Sequence, residues 1–210
     1  MAGTEYRLTV VNNSTNYVDL CVYQSPPDLG VPDVNALAWL AEPAHPTTTV
    51  HFRWTIDYSF VWSNNGELAV GSLFDASQDW PADPYGKTAP QQAQLSYLNG
   101  AYTFDEGAQP VPTPQPGNLY IHEDATIPLR EASVGVGMSG AGTFAVVAQP
   151  NQNLMFTPHP EYWITAGVFT AGQVIDEEQI SDKAAVAFPP GVFSMLATLN
   201  PDNSWTVQPD

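Results

Sequence analysis

The sequence predicts an all-β fold: a jelly-roll-like β-sandwich of about 10–13 short strands in a single domain over residues 1–210. Apolar residues recur at every second position in run after run. The runs are short, and Gly, Pro and Asn divide them, with 15 Gly and 20 Pro in 210 residues. Only one stretch carries a helical spacing.

The elements follow in order. Leu8 and Val10 oppose Arg7, Thr9 and Val11, and Val18, Leu20 and Val22 alternate with Asp19, Cys21 and Tyr23. Val50, Phe52 and Trp54 alternate with His51 and Arg53, and Tyr58, Phe60 and Trp62 keep the same rule. A period of two puts one set of side chains on the core face of a sheet, so Trp54 and Trp62 are expected in the core. In QLSYLNGAYTF, Asn99-Gly100 between two strand-like arms signals a hairpin. Further strands are expected in NLYIHE, SVGVGM, TFAVVAQ, NLMFTP, YWITAGVF, AAVAF, FSMLATL and SWTVQ.

The exception is VNALAWLA, which Asp33 can cap and Pro43 can stop. Leu37, Trp39 and Leu40 share one helical face there. The spacing predicts a short helix near residues 33–41, of about two turns, lying over an open end of the sandwich. DEEQISD, residues 176–182, is a second candidate turn. GAQPVPTPQPG, residues 107–117, has Pro at 110, 112, 114 and 116, which removes ladder donors. It is expected to be a surface loop inside one sandwich. As a linker it would leave two halves of about five or six strands, neither with a helix layer to close its core.

Composition narrows the function. Charge is sparse (13%) and strongly acidic, with 22 acidic and 5 basic residues and a net charge of −17. Nine Phe, nine Tyr and six Trp exclude global disorder. The cations Arg7, Arg53, Lys87, Arg130 and Lys183 lie far apart in sequence. Nucleic acid and anionic lipid need clustered cations, so neither is an expected partner. Cys21 is alone and reads as a small buried hydrophobe. MAGTEYRLTVVNN has neither the basic nor the apolar region of a secretory signal, and no run reaches the ~18 apolar residues of a membrane span. The cytoplasm is the default expectation, with signal-less export also compatible.

Several constellations carry a chemical reading. Gly135, Gly137 and Gly140 fit G-x-G-x-x-G, with Glu161 about twenty residues on. A dinucleotide site needs a helix after the glycines, and AGTFAVVAQP reads as a strand, so a turn between strands is expected. Ser139 lacks the helix of a nucleophile elbow for the same reason. His51, His122, His159 and Glu161 are candidate transition-metal ligands. His122 and Glu123 would point to opposite faces of a strand, whereas His159 and Glu161 could share one. Asp75, Asp79 and Asp83 recur every four residues and form a candidate calcium loop. Trp80, in QDWPADPYG, reads as a loop aromatic able to contact a sugar or a partner.

Six runs resemble the bacterial rhizosphere-induced protein family (RhiA-type). They are LTVVNNSTNYVDLCVYQ, LAWLAEPAHPTTTVHFRWTIDYSFVWS, LFDASQDW, VGVGMSGAGTFAVVAQPN, FTPHPEYWIT and DNSWTV, and they span nearly the whole chain. The resemblance implies a soluble bacterial protein made under host- or density-dependent control. It supplies no active-site residues to carry across.

These readings converge on a non-enzymatic binding or self-associating module with no cofactor. The alternatives are a metal-binding sandwich holding a divalent ion and a carbohydrate-binding module. A weak homo-oligomer is expected, promoted by salt or acid, with Trp80 or the Pro-rich loop at its contact surface.

Overall fold

The computed structural model describes residues 4–25, 33–105 and 111–210. The strands β1 (Glu5–Asn12), β2 (Val18–Gln24), β3 (Asn35–Leu37), β4 (Leu40–Ala44), β5 (Thr49–Thr55) and β6 (Tyr58–Ser63) come first. Next are β7 (Gln78–Ala82), β8 (Gln92–Leu98), β9 (Ala101–Asp105), β10 (Leu119–Glu123), β11 (Ser133–Met138) and β12 (Ala141–Val147). The remainder are β13 (Gln152–Phe156), β14 (Tyr162–Gly167), β15 (Val174–Ile175), β16 (Lys183–Ala185), β17 (Ser194–Leu199) and β18 (Trp205–Pro209).

These strands form four sheets. Sheet I has the order β18-β17-β1-β5 and sheet II the order β16-β14-β2-β4. Sheet III runs β15-β3-β12-β11-β6-β7, and sheet IV runs β13-β10-β8-β9. Sheets I and II enclose one core, in which Leu8, Val10, Phe52, Trp54 and Met195 meet Leu20, Val22, Tyr162 and Ile164. Sheets III and IV enclose a second, in which Phe60, Trp62, Val134, Val136 and Phe144 meet Leu95, Phe104, Ile121 and Phe156. The chain is all-β and sandwich-like, as the period-two pattern predicts.

Strand β2 belongs to both cores. Leu20 and Val22 face the first, while Cys21 and Tyr23 on its other side pack into the second. That explains an alternation in which both phases are apolar. Burial pushes the Cys21 thiol up to about 12, which leaves it an inert packing group.

The predicted helix at 33–41 is absent; β3 and β4 occupy that stretch. Its side chains are claimed by different cores. Ala36 and Ala38 pack in the second, Trp39 in the first, and Leu37 joins Val61, Phe74 and Val174 on the outer face of sheet III. A helix would put Leu37, Trp39 and Leu40 on one side, whereas an extended chain serves three clusters at once. Trp39 Nε1 donates to the Met138 carbonyl at 2.9 Å, and Pro43 sits in β4 opposite Asp19. Residues 176–182 form turn and irregular backbone.

Trp80 is also placed differently from its predicted loop. It lies on edge strand β7 opposite Phe60, half-buried against the second core. Asp79 and Pro81 flank it outward, so the polar and Pro signals mark a sheet edge. The strands number 18 among the described residues, more than the 10–13 expected, partly because β3, β15 and β16 are only two or three residues long.

The hairpin signals hold. Asn99-Gly100 joins β8 to β9, with φ of 54° and 84°. Ser139-Gly140, at 54° and 78°, joins β11 to β12, so the glycine-rich motif is a strand–turn–strand. Residues 107–110 of the Pro-rich stretch lie outside the described residues. Residues 111–117 contain no strand, and β9 and β10 on either side belong to the same sheet. Gln92 Nε2 donates to Val111 O, and Gln91 Nε2 to Gln115 O, supplying donors where proline has none.

Candidate functional site

A cleft of about 1410 Å³ opens where sheet III meets β13, the outer strand of sheet IV. Four stretches of chain wall it: Asp33–Asn35 leading into β3, Asn65–Leu68 after β6, Arg130–Glu131 before β11, and the β12–β13 region with Gln149 and Asn151–Leu154. Val34, Leu68, Val146 and Leu154 provide apolar surface. The rest of the lining is dominated by amides and carboxylates.

The backbone is shaped to hold these walls together. Asp33, Arg130 and Asn151 have φ of 61°, 60° and 60°, so three of the left-handed non-glycine residues line the cleft. Asn and Asp tolerate that region, but Arg gives up about 1–2 kcal/mol there. Gly66 packs directly on the opposite wall; a Cβ on it would stand 2.0 Å from the Arg130 carbonyl oxygen, so only glycine lets the 65–67 loop close. Asn65 fixes the same loop, donating to Leu73 O at 2.9 Å and accepting from Glu67 N–H at 3.0 Å.

Beneath the cleft lies Glu123. It shares the phase of Leu119 and Ile121 on β10 and is fully buried. Its Oε1 accepts the Gln149 N–H at 3.1 Å, while Oε2 has no hydrogen-bond partner. Burial pushes its pKa up to about 8, against the opposing pull of that N–H. The carboxyl is therefore largely protonated and neutral at pH 7. His122 points to the opposite face, as strand geometry requires, with Nδ1 2.8 Å from Asn153 Oδ1.

The other candidates are dispersed. His51 is on the exposed face of sheet I, with Nδ1 3.3 Å from Thr9 Oγ1. His159 is exposed beyond β13, and Glu161 lines a different pocket, at the start of β14. Asp75 lies in a loop, Asp79 is exposed on β7, and Asp83 ties down a turn. The Asp83 carboxylate accepts N–H groups of Tyr85, Lys87 and Thr88 at 2.8–2.9 Å and the Thr88 hydroxyl at 3.0 Å. Desolvation raises its pKa, but these donors outweigh it and leave the group below the ordinary carboxylate value. Among the described residues no three His, Cys, Asp or Glu side chains converge as a metal site would require.

Sequence reasoning missed Glu123, Arg130 and the amides around them. For Glu123 a signal existed, because it falls on the apolar phase of NLYIHE. The remaining cleft residues come from separate stretches that nothing local connects. Among the described residues no helix is long and apolar enough to cross a membrane.

No solved structure matches the chain. Protein RhiA of Rhizobium leguminosarum bv. viciae is 34% identical over 215 residues, covering 99% of this chain and 87% of that protein. A family model described as RhiA matches residues 3–210. With nearly the whole chain matched in both comparisons, the protein belongs to the RhiA family.

Proposed function

We propose that the protein is a non-enzymatic binding module whose cleft receives a neutral, hydroxyl-rich ligand of the carbohydrate class. The lining of the cleft carries this reading. Asn35, Glu131, Gln149, Gln152 and Asn153 present planar groups with paired donor or acceptor atoms, suited to adjacent hydroxyls, above an apolar floor. Arg130 adds a cation whose guanidinium makes no ion pair among the described residues. None of the four histidines lines the cleft and neither does Cys21, and its acidic groups are Asp33, Glu67 and Glu131.

Binding is tested by titrating the protein with a panel of neutral and acidic oligosaccharides in a calorimeter. Saturable binding that Asn35→Ala with Asn153→Ala weakens at least tenfold supports the reading. Absence of heat across the panel at millimolar sugar, or turnover of any sugar, overturns it.

A further inference from the structure

A second cavity has the opposite character. It measures about 510 Å³, within the range of small-ligand sites, and opens at one end of the first sandwich. Tyr6 of β1, Tyr162 and Trp163 of β14 and Phe188 are its aromatic lining, with Ile56, Pro160 and Val186 adding apolar surface. Tyr6 and Tyr162 both stand edge-on to Phe188, at 5.0 Å and 85° and at 6.0 Å and 85°. Trp54 backs all three, with centroids 6.3, 4.9 and 5.7 Å away.

This surface is not sealed. Phe188 is half-buried, and Ile56 is 41% exposed. The single charged residue in the lining is Glu161, which is exposed and makes no ion pair among the described residues. Aromatic faces carry negative quadrupoles and attract cations, and a free carboxylate beside them adds to that attraction. Among the lining residues an anionic ligand would meet Glu161 and no cation, Lys183 lying against the Trp163 ring, on a chain of net charge −17. The chain already uses aromatic faces for its own cations, with Lys183 Nζ 5.3 Å from the Trp163 ring and Lys87 Nζ 5.4 Å from Tyr85.

We propose that the pocket walled by Tyr6, Tyr162 and Phe188 binds small organic cations, alkyl- or arylammonium ions whose apolar body lies on the rings while the charge faces Glu161. This site is separate from the polar cleft and does not depend on the function proposed for it.

The probes are benzyltrimethylammonium, neutral benzyl alcohol and benzoate, titrated against intrinsic tryptophan fluorescence and by calorimetry. The cation is expected to bind at least tenfold more tightly than benzoate, with affinity falling as salt rises. Glu161→Gln should weaken the cation about three- to tenfold and leave benzyl alcohol unchanged. Phe188→Leu, which keeps apolar bulk without a ring, should cost about tenfold for the cation. Circular dichroism of each variant confirms that it is folded; a misfolded Phe188→Leu leaves the Glu161→Gln comparison to decide. Equal affinity for benzoate, no effect of Glu161→Gln, or loss of binding on Asn35→Ala with Asn153→Ala overturns the proposal.

Discussion

The two sandwiches end in contrasting ways. At the open end of the first, Tyr6, Trp54, Tyr162 and Phe188 pack ring against ring, and Trp39 extends the cluster inward. Beside the second, amides and carboxylates border the cleft, and a fully buried carboxyl lies beneath. One end is held by dispersion and apolar burial, which are indifferent to pH. The other rests on polar groups whose protonation sets their cost. The difference teaches that these ends should fail under different stresses.

The sharpest break is truncation of the aromatic end. Trp39→Ala or Trp54→Ala should each cost about 3–5 kcal/mol in urea unfolding, through lost burial and a cavity that relaxes only partly. Trp39→Ala also leaves the Met138 carbonyl without its 2.9 Å donor. Because β2 packs into both cores, each variant should still unfold in one calorimetric transition; two separated transitions would show that the sandwiches are independent.

At the polar end the test is acidity. The folded state raises Glu123 from its ordinary 4.5 to about 8, so it holds that proton more tightly than the unfolded chain does. The resulting stability is present in full below pH 4.5 and is lost as pH rises through about 8, by a few kcal/mol at roughly 1.4 per unit. Glu123→Gln should flatten this slope between pH 5 and 8, read as urea midpoints across pH. A wild-type slope that survives the substitution would assign the titration to another group.

Asp83 provides a matched carboxylate with its acceptors filled. Asp83→Ala removes four hydrogen bonds from a surface turn and should cost about 1–2 kcal/mol. Its pKa is lowered, so its contribution is present at neutral pH and fades as pH falls through the acid range, opposite in sign to Glu123. The smallest effect belongs to Arg7, which lies opposite Arg53 while Glu5 reaches both, at 2.7 and 3.9 Å. Arg7→Ala should change stability by less than about 1 kcal/mol, as exposed pairs do.

How much of this was legible in the residues depends on range. Strands such as Thr49–Thr55 and the Asn99-Gly100 hairpin were readable because alternation and turn chemistry are local. Residues 33–41 misled because Leu37, Trp39 and Leu40 mimic a helical face while serving different cores. Trp80 misled because an edge strand wears the Asp and Pro of a loop. The cleft was invisible for a deeper reason: Asn35, Gly66, Arg130 and Gln152 become neighbours only through sheet pairing. Glu123 alone could have been inferred, from its phase with Leu119 and Ile121.

The pairing of β1 with β17 carries a consequence for how the chain is made. Leu8 lies beside Met195 in a parallel ladder, and β2 likewise waits for β14. At about 5–20 residues per second, synthesis takes roughly 10–35 s to travel from β2 to β17. Until β14 and β17 are made, β1 and β2 have only β5 and β4 to pair with, and their other edges stay open. Such long-range ladders also slow the search after release, since loop closure precedes the contacts that reward it. The net charge of −17, from 22 acidic and five basic residues, then works as a solubilising charge for a nascent chain that completes its first sandwich last.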